Sequence, residues 1–144
     1  MTANARKIAE KLGGMHTLGR SVENLAELRH LVEEGLPLMS LEAVAGYLAA
    51  NDVEATSIKY RIIPEAIPGQ RTRLSLDQGE RTERLARLAA IAEEVWEDAV
   101  LAREFLMSPQ PRLSGERPID LARTERGARE VEALLMKIEY ALPV

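Results

Sequence analysis

The sequence predicts an all-α protein, and three observations carry that prediction. Aromatic residues make up only 3% of a chain that is 46% hydrophobic, so the core is filled by Leu, Ala and Val side chains rather than by rings. Those aliphatic residues recur at spacings of three and four, which places them on one face of a helix. The periodic runs begin at Ser, Thr or acidic residues and stop at Gly or Pro, the chemistry of helix caps and breaks.

At 144 residues the chain is long enough for one domain or two small ones, and 29% charged residues against 46% hydrophobic ones mark it as folded. It has no cysteine, which excludes disulfides and thiolate metal sites and fits a reducing compartment. No apolar run approaches the roughly 18 residues of a membrane span, and the first residues lack a signal-peptide core. The expected location is the cytoplasm, with no membrane partner. The net charge of −4 means that any nucleic-acid contact must rest on local basic patches.

The first helix is expected over Thr2 to Leu12, with Ile8, Ala9 and Leu12 on one side and Arg6, Lys7 and Lys11 on the other. Gly13-Gly14 ends it, and residues 1–20 read either as a loosely held arm or as a basic arm that meets DNA phosphates. Ser21 is the expected cap of a helix through Glu34, with Val22, Leu25, Leu28 and Val32 inward and Gly35 as its stop. After the Leu36-Pro37 turn, Ser40 is expected to cap a helix bearing Leu41, Val44, Ala45 and Leu48, which Asn51-Asp52 breaks. A further helix is expected from about Glu54 to Ile63, closed by Pro64. Three short helices with tight turns suit a helix-turn-helix unit and a plain three-helix bundle equally.

Ser75 and Gln78 form a capping box at the head of the longest helical stretch, which runs to Met107. Leu85, Leu88, Ala92, Val95, Ala99, Ala102 and Leu106 trace its seam. Arg81, Arg84 and Arg87, interleaved with Glu80 and Glu83, read as a solvated face, and Trp96 as a core anchor. A turn-rich run, Pro109, Pro111, Gly115 and Pro118, leads to a last helix capped by Thr124, with Glu125 at the positive end of its dipole. Ala128, Val131, Leu135 and Ile138 form its apolar stripe, and Arg126, Arg129, Glu130, Glu132 and Lys137 its polar face. It should stop near Tyr140, before Pro143. The tail Ala141-Leu142-Pro143-Val144 is apolar, and is either folded back on the core or offered to a partner.

No catalytic constellation is visible. His16 and His30 lie in different elements, no Gly-rich loop follows a strand, and Glu33-Glu34 and Glu93-Glu94 are adjacent in sequence and so do not share a helical face. The expectation is a non-enzymatic protein without cofactor or metal.

The run from Arg117-Pro118-Ile119-Asp120-Leu121 through Thr124-Glu125-Arg126-Gly127-Ala128, then Val131-Glu132, Leu134-Leu135 and Ile138-Glu139-Tyr140, resembles the C-terminal domain of Xre/MbcA/ParS antitoxins. Ala141 stands where that pattern has a glycine. The stretch from Leu12-Gly13-Gly14 to Gly35-Leu36-Pro37 resembles the N-terminal part of the same family, and Glu97-Asp98 the place where the family breaks its long helix in two. The family's arginine-rich recognition segment corresponds only to Pro68-Gly69-Gln70-Arg71-Thr72-Arg73, shortened and preceded by prolines.

The resemblance implies an Xre-like helical unit over residues 21–74 and a toxin-binding domain over 75–144. It implies a RES-domain toxin as partner, which consumes NAD or transfers ADP-ribose from it, and inhibition by covering the NAD pocket. Arg126, Arg129, Lys137, Glu139, Tyr140, Leu142 and Val144 are the expected toxin contacts. Lys59, Arg61, Arg71 and Arg73 are the expected DNA contacts, in a homodimer that binds its own operator. The alternative is a stand-alone DNA-binding regulator whose C-terminal domain only dimerises.

Overall fold

The computed structural model describes residues 4–64 and 72–141. Its helices, in chain order, are α1 (Ala5–Lys11), α2 (Gly14–Leu18), α3 (Leu25–Glu34), α4 (Leu38–Leu48), α5 (Asp52–Ile62), α6 (Leu76–Trp96), α7 (Ala99–Met107), α8 (Pro118–Leu121) and α9 (Glu125–Tyr140), with a 3-10 turn at Pro111–Leu113. Among the described residues the regular structure is helical throughout, as the aliphatic composition predicts. The exception is an isolated antiparallel bridge between Pro37 and Arg73. It is closed by Leu38 N–H donating to the Thr72 carbonyl (2.9 Å) and Leu74 N–H donating to that of Leu36 (2.8 Å). No described helix is long and apolar enough to cross a membrane.

α6 is the axis on which the other helices pack. Its head carries the capping box: Gln78 N–H donates to Ser75 Oγ (3.2 Å), and Ser75 N–H donates to Gln78 Oε1 (2.9 Å). Ala86, Ala89, Ala90 and Ala92 are all buried on it. Such small side chains let neighbours approach from several directions, so α6 meets α1, α3 and α4 as well as α7 and α9. Leu88 on α6, Leu106 on α7 and Leu135 on α9 are at most 1% exposed. Burial of each contributes about 1.5–3 kcal/mol.

The long stretch is two helices. Glu97 adopts a left-handed φ of 53°, ending α6, and Asp98 caps α7 by accepting from Leu101 N–H (2.9 Å). The break falls at the Glu97-Asp98 pair that the family resemblance marks.

Several local expectations are corrected. Residues 5–11 are not loosely held: Ile8 and Leu12 are fully buried, and α1 packs on α6. Its apolar stripe is in the core, and Lys11 reaches back to Glu93 (2.7 Å). The cap of α3 is Asn24 rather than Ser21, because Asn24 Oδ1 accepts from Glu27 N–H (2.9 Å). Ser40 does not cap α4. It lies inside that helix, fully buried, and its hydroxyl donates to the Leu12 carbonyl (2.8 Å), tying α4 to the end of α1. α4 ends at Leu48, ahead of the expected Asn51-Asp52 break, and α5 begins at Asp52 rather than about Glu54, since Asn51 caps it by accepting from Glu54 N–H (2.9 Å).

One glycine explains why α8 and α9 sit so close. A Cβ at Gly127, in the first turn of α9, would lie 1.9 Å from the Leu121 carbonyl oxygen, a backbone atom that cannot swing aside. Gly127→Ala is therefore expected to destabilise the fold by about 3 kcal/mol, as overpacking against rigid backbone does, measured as a lower urea midpoint. An alanine variant as stable as the parent would show that the α8–α9 junction yields freely.

Candidate functional site

α9 presents two distinct faces. Ala128, Val131 and Leu135 are fully buried, Leu134 is 5% exposed, and Ile138 packs against the same core. The stripe expected from sequence is therefore the inward face. Outward, Arg129, Ala133, Met136 and Tyr140 follow one another at spacings of four, three and four, and all are exposed. Met136 and Tyr140 are 42% and 68% exposed, an apolar pair at the end of a strip that Arg126 and Lys137 flank. A half-apolar strip with basic edges suits a protein partner better than bulk water.

The inward face is fixed by a charge cluster that the sequence reading took for a solvated surface. Arg87 on α6 is only 19% exposed at its side chain and meets three carboxylates. Its Nη2 donates to Glu125 Oε1 and Oε2 (3.0 and 2.9 Å), its Nη1 to Glu83 (3.5 Å), and its Nε lies 3.6 Å from Glu132. Arg84, also largely buried, donates to the carbonyls of Ala122 and Arg123 (3.1 and 3.2 Å), which end α8, and pairs with Glu125 (3.4 Å). Of the three arginines expected to be solvated, only Arg81 keeps to its own helix, pairing with Asp77 (3.1 Å). The signal missed was the apolar residues beside them. Leu85 and Leu88 point inward, so Arg84 and Arg87 sit at the edge of the seam, where α9 closes over them.

Burial and charge compete within the cluster. Burial pushes the Glu83 and Glu132 carboxyls up, and Arg87 offsets this only in part. For Glu125 burial also pushes upward, but the hydrogen bonds and charges of Arg87 and Arg84 hold it below the usual carboxylate range. Burial works against the charge of Arg87 too, yet the three carboxylates outweigh it and hold the guanidinium charged more firmly than usual.

Glu139 is half-buried and lines a groove with Glu94, Val95, Trp96, Glu97 and Ile138. Trp96 sits 6.0 Å from Phe105 in a tilted pair, so it does anchor the α6–α7 corner. Its Nε1 is buried with no acceptor among the described residues. Leu142, Val144 and the expected path of the tail lie outside the described residues, as does Arg71.

The other expected DNA contacts that are described each have a partner within the chain. Lys59 pairs with Glu42 on α4 (3.0 Å), whereas Arg61, two residues on and so on another side of α5, pairs with Asp120 on α8. Arg73 donates to the Gly35 carbonyl (2.7 Å).

Two comparisons bear on what this arrangement is. Residues 92–141 match the family model of the antitoxin Xre/MbcA/ParS C-terminal toxin-binding domain. The match begins within α6 and takes in the Glu97 break, α7, α8, all of α9 and the last described residue, Ala141. Among curated proteins, the chain is 35% identical over 65 residues to Antitoxin Xre of Pseudomonas putida. That match covers 45% of this chain and 41% of the relative, so the chain spans about two fifths of that protein's length. The resemblance seen in the sequence thus rests on a domain match and a curated relative.

The opposed shifts in the charge cluster set a pH test. Glu125, held low, contributes stability above its unfolded value of about 4.3 that is lost as pH falls through its folded value. Glu83, pushed up, has the opposite sign: its contribution is complete below the unfolded value and is lost as pH rises through the folded one. At pH 7, Glu125→Gln is expected to cost about 1 kcal/mol, whereas Glu83→Gln is expected to stabilise. Urea midpoints should show this divergence at pH 7 and its decline as pH falls below the usual carboxylate range. Equal losses for both variants at pH 7 would contradict it.

Proposed function

We propose that this chain is the antitoxin of a type II toxin–antitoxin pair, and that it neutralises a RES-domain toxin by covering its NAD pocket. The observation that carries the proposal is the outer strip of α9. It lies in the segment that matches a toxin-binding domain, and it exposes Met136 and Tyr140 beside Arg126, Arg129 and Lys137. In the resemblance-based reading the end of α9 and the residues after it, with Glu139, Leu142 and Val144, enter the toxin. The terminal helix supplies apolar anchors, and the arginines and lysine supply a rim that pairs with carboxylates. The functional division follows the same reading, with toxin binding in residues 75–144 and an Xre-like unit before it that dimerises and represses the operon.

The alternative, a stand-alone DNA-binding regulator, draws less support. A phosphate-binding surface needs uncompensated lysines and arginines, yet Lys59 and Arg61 are each paired to a carboxylate. DNA binding by the antitoxin alone is on this reading weak and salt-sensitive, and gains from multivalency in the toxin complex.

The test is coexpression with a toxin that copurifies with the chain. Met136→Glu combined with Tyr140→Ala leaves the inward stripe intact, so circular dichroism should report a folded protein. Each anchor is expected to contribute about 1–3 kcal/mol of burial at the interface, so loss of both should weaken binding by roughly a hundredfold or more. The folded double variant should fail to protect cells and fail to block NAD consumption. Full protection would place the interface on another face.

A further inference from the structure

Residues 92–141 carry the toxin-binding match, yet the start of that segment is gripped by side chains from far outside it. Glu93, near the end of α6, accepts from Lys11 Nζ at the end of α1 (2.7 Å) and from the Tyr47 hydroxyl on α4 (2.5 Å). Both bonds end on the same oxygen, Oε2. The Lys11 ammonium also lies over the Tyr47 ring, 4.2 Å from its centroid, and the Arg103 guanidinium of α7 approaches that ring at 5.4 Å. One carboxylate, one phenol and two cations thus join α1, α4, α6 and α7. The Lys11 side chain is only 15% exposed, so its charge is committed to this cluster. Burial pushes the Glu93 carboxyl up, but the hydrogen bonds of Lys11 and Tyr47 outweigh it and hold it below the usual carboxylate range. Burial and the bond to Glu93 push the Tyr47 phenol well up, so it stays a donor.

The same residue holds the corner where α6 ends. The Glu93 carbonyl accepts from Glu97 N–H (2.8 Å), the bond that closes the last turn before the left-handed Glu97. Beyond that turn the end of α6 lies against the end of α9. Val95, Trp96 and Glu97 share a groove with Ile138 and Glu139, and Val95, Trp96 and Ile138 are partly buried against the core. Tyr140 follows directly on α9. We propose that Lys11 and Tyr47 are positioning residues for partner binding: by clamping Glu93 they fix the corner at Glu97, and with it the end of α9 that carries Tyr140. The proposal rests on the reading of α9 as the partner-binding face and adds that residues before position 75 set its geometry. Apolar packing of α1 and α4 on α6 fixes which faces meet, and the short bonds to one charged carboxylate add direction. Ser40 is the internal comparison. Its buried hydroxyl also ties α4 to α1, through the Leu12 carbonyl (2.8 Å), but that bond ends at the cap of α1 and not on α6.

Trp96 is the only tryptophan, so its indole N–H gives one assignable NMR signal in the full chain. Tyr47→Phe removes the hydroxyl and keeps the ring, and Lys11→Met removes the ammonium and keeps the stem. In the free chain each variant should shift the Trp96 indole signal and the amides of Glu97, Glu139 and Tyr140, and speed hydrogen exchange at the Glu97 amide. Ser40→Ala should lower the urea midpoint and leave those signals in place. Against the toxin that copurifies with the unmodified chain, Tyr47→Phe should weaken binding about fivefold, a size that contacts remote from an interface can produce. Ser40→Ala should bind as the parent does. Shifts confined to the immediate neighbours of Tyr47 and Lys11, with the end of α9 unmoved, would overturn the proposal. So would toxin binding by Tyr47→Phe equal to that of the parent or of Ser40→Ala. If the unmodified chain captures no toxin, the function proposed above fails, and the free-chain signals alone uphold or overturn the clamp.

Discussion

One guanidinium, Arg87, holds the C-terminal half of this protein in register. It meets carboxylates from its own helix and from two turns of α9, while Arg84 beside it grips the carbonyls that end α8. Apolar packing alone fixes which face of α9 is buried but tolerates sliding along the helix axis. A planar, directional cation between Glu125 and Glu132 does not. The cost is desolvation, visible in Glu83 and Glu132, which are held at carboxyl values above the usual range. Such a buried network is weak evidence of net stability and better evidence of a specified geometry.

That geometry sets what α9 offers to the outside. With Ala128, Val131 and Leu135 turned in and the charge cluster closing one edge, Arg129, Ala133, Met136 and Tyr140 are left outward on a helix that cannot roll. Gly127 permits the first turn of α9 to lie against α8, and Glu97 permits α7 to leave α6 at an angle. Both positions lie within the antitoxin domain match, so the residues that shape the exposed strip and those that present it belong to one unit. A rigid anchor strip loses little entropy on binding, which favours affinity.

Much of this was legible in the sequence, for identifiable reasons. Caps with a unique local chemistry were readable: the Ser75-Gln78 box and Thr124 depend on residues within three positions, whereas the break at Glu97-Asp98 was marked only by the family resemblance. The inward stripe of α9 was readable from spacing. What was not legible depends on contacts far apart in the chain. Ser40 has the chemistry of a cap, and only the approach of Leu12 from 28 positions away makes it a buried donor. Arg84 and Arg87 look like surface residues until α9 folds over them from about 40 positions away. For the basic residues Lys59, Arg61 and Arg73 the sequence shows the charge, whereas their partners on α4, α8 and the α3 stop come from other parts of the chain.

Amide hydrogen exchange with and without the copurified toxin tests most directly whether α9 is the partner-binding face. The predicted result is added protection across α9 from Arg129 to Tyr140 and around the α6–α7 break, with α3 to α5 unchanged. Protection confined to α3 to α5, with α9 exchanging as in the free chain, would contradict it.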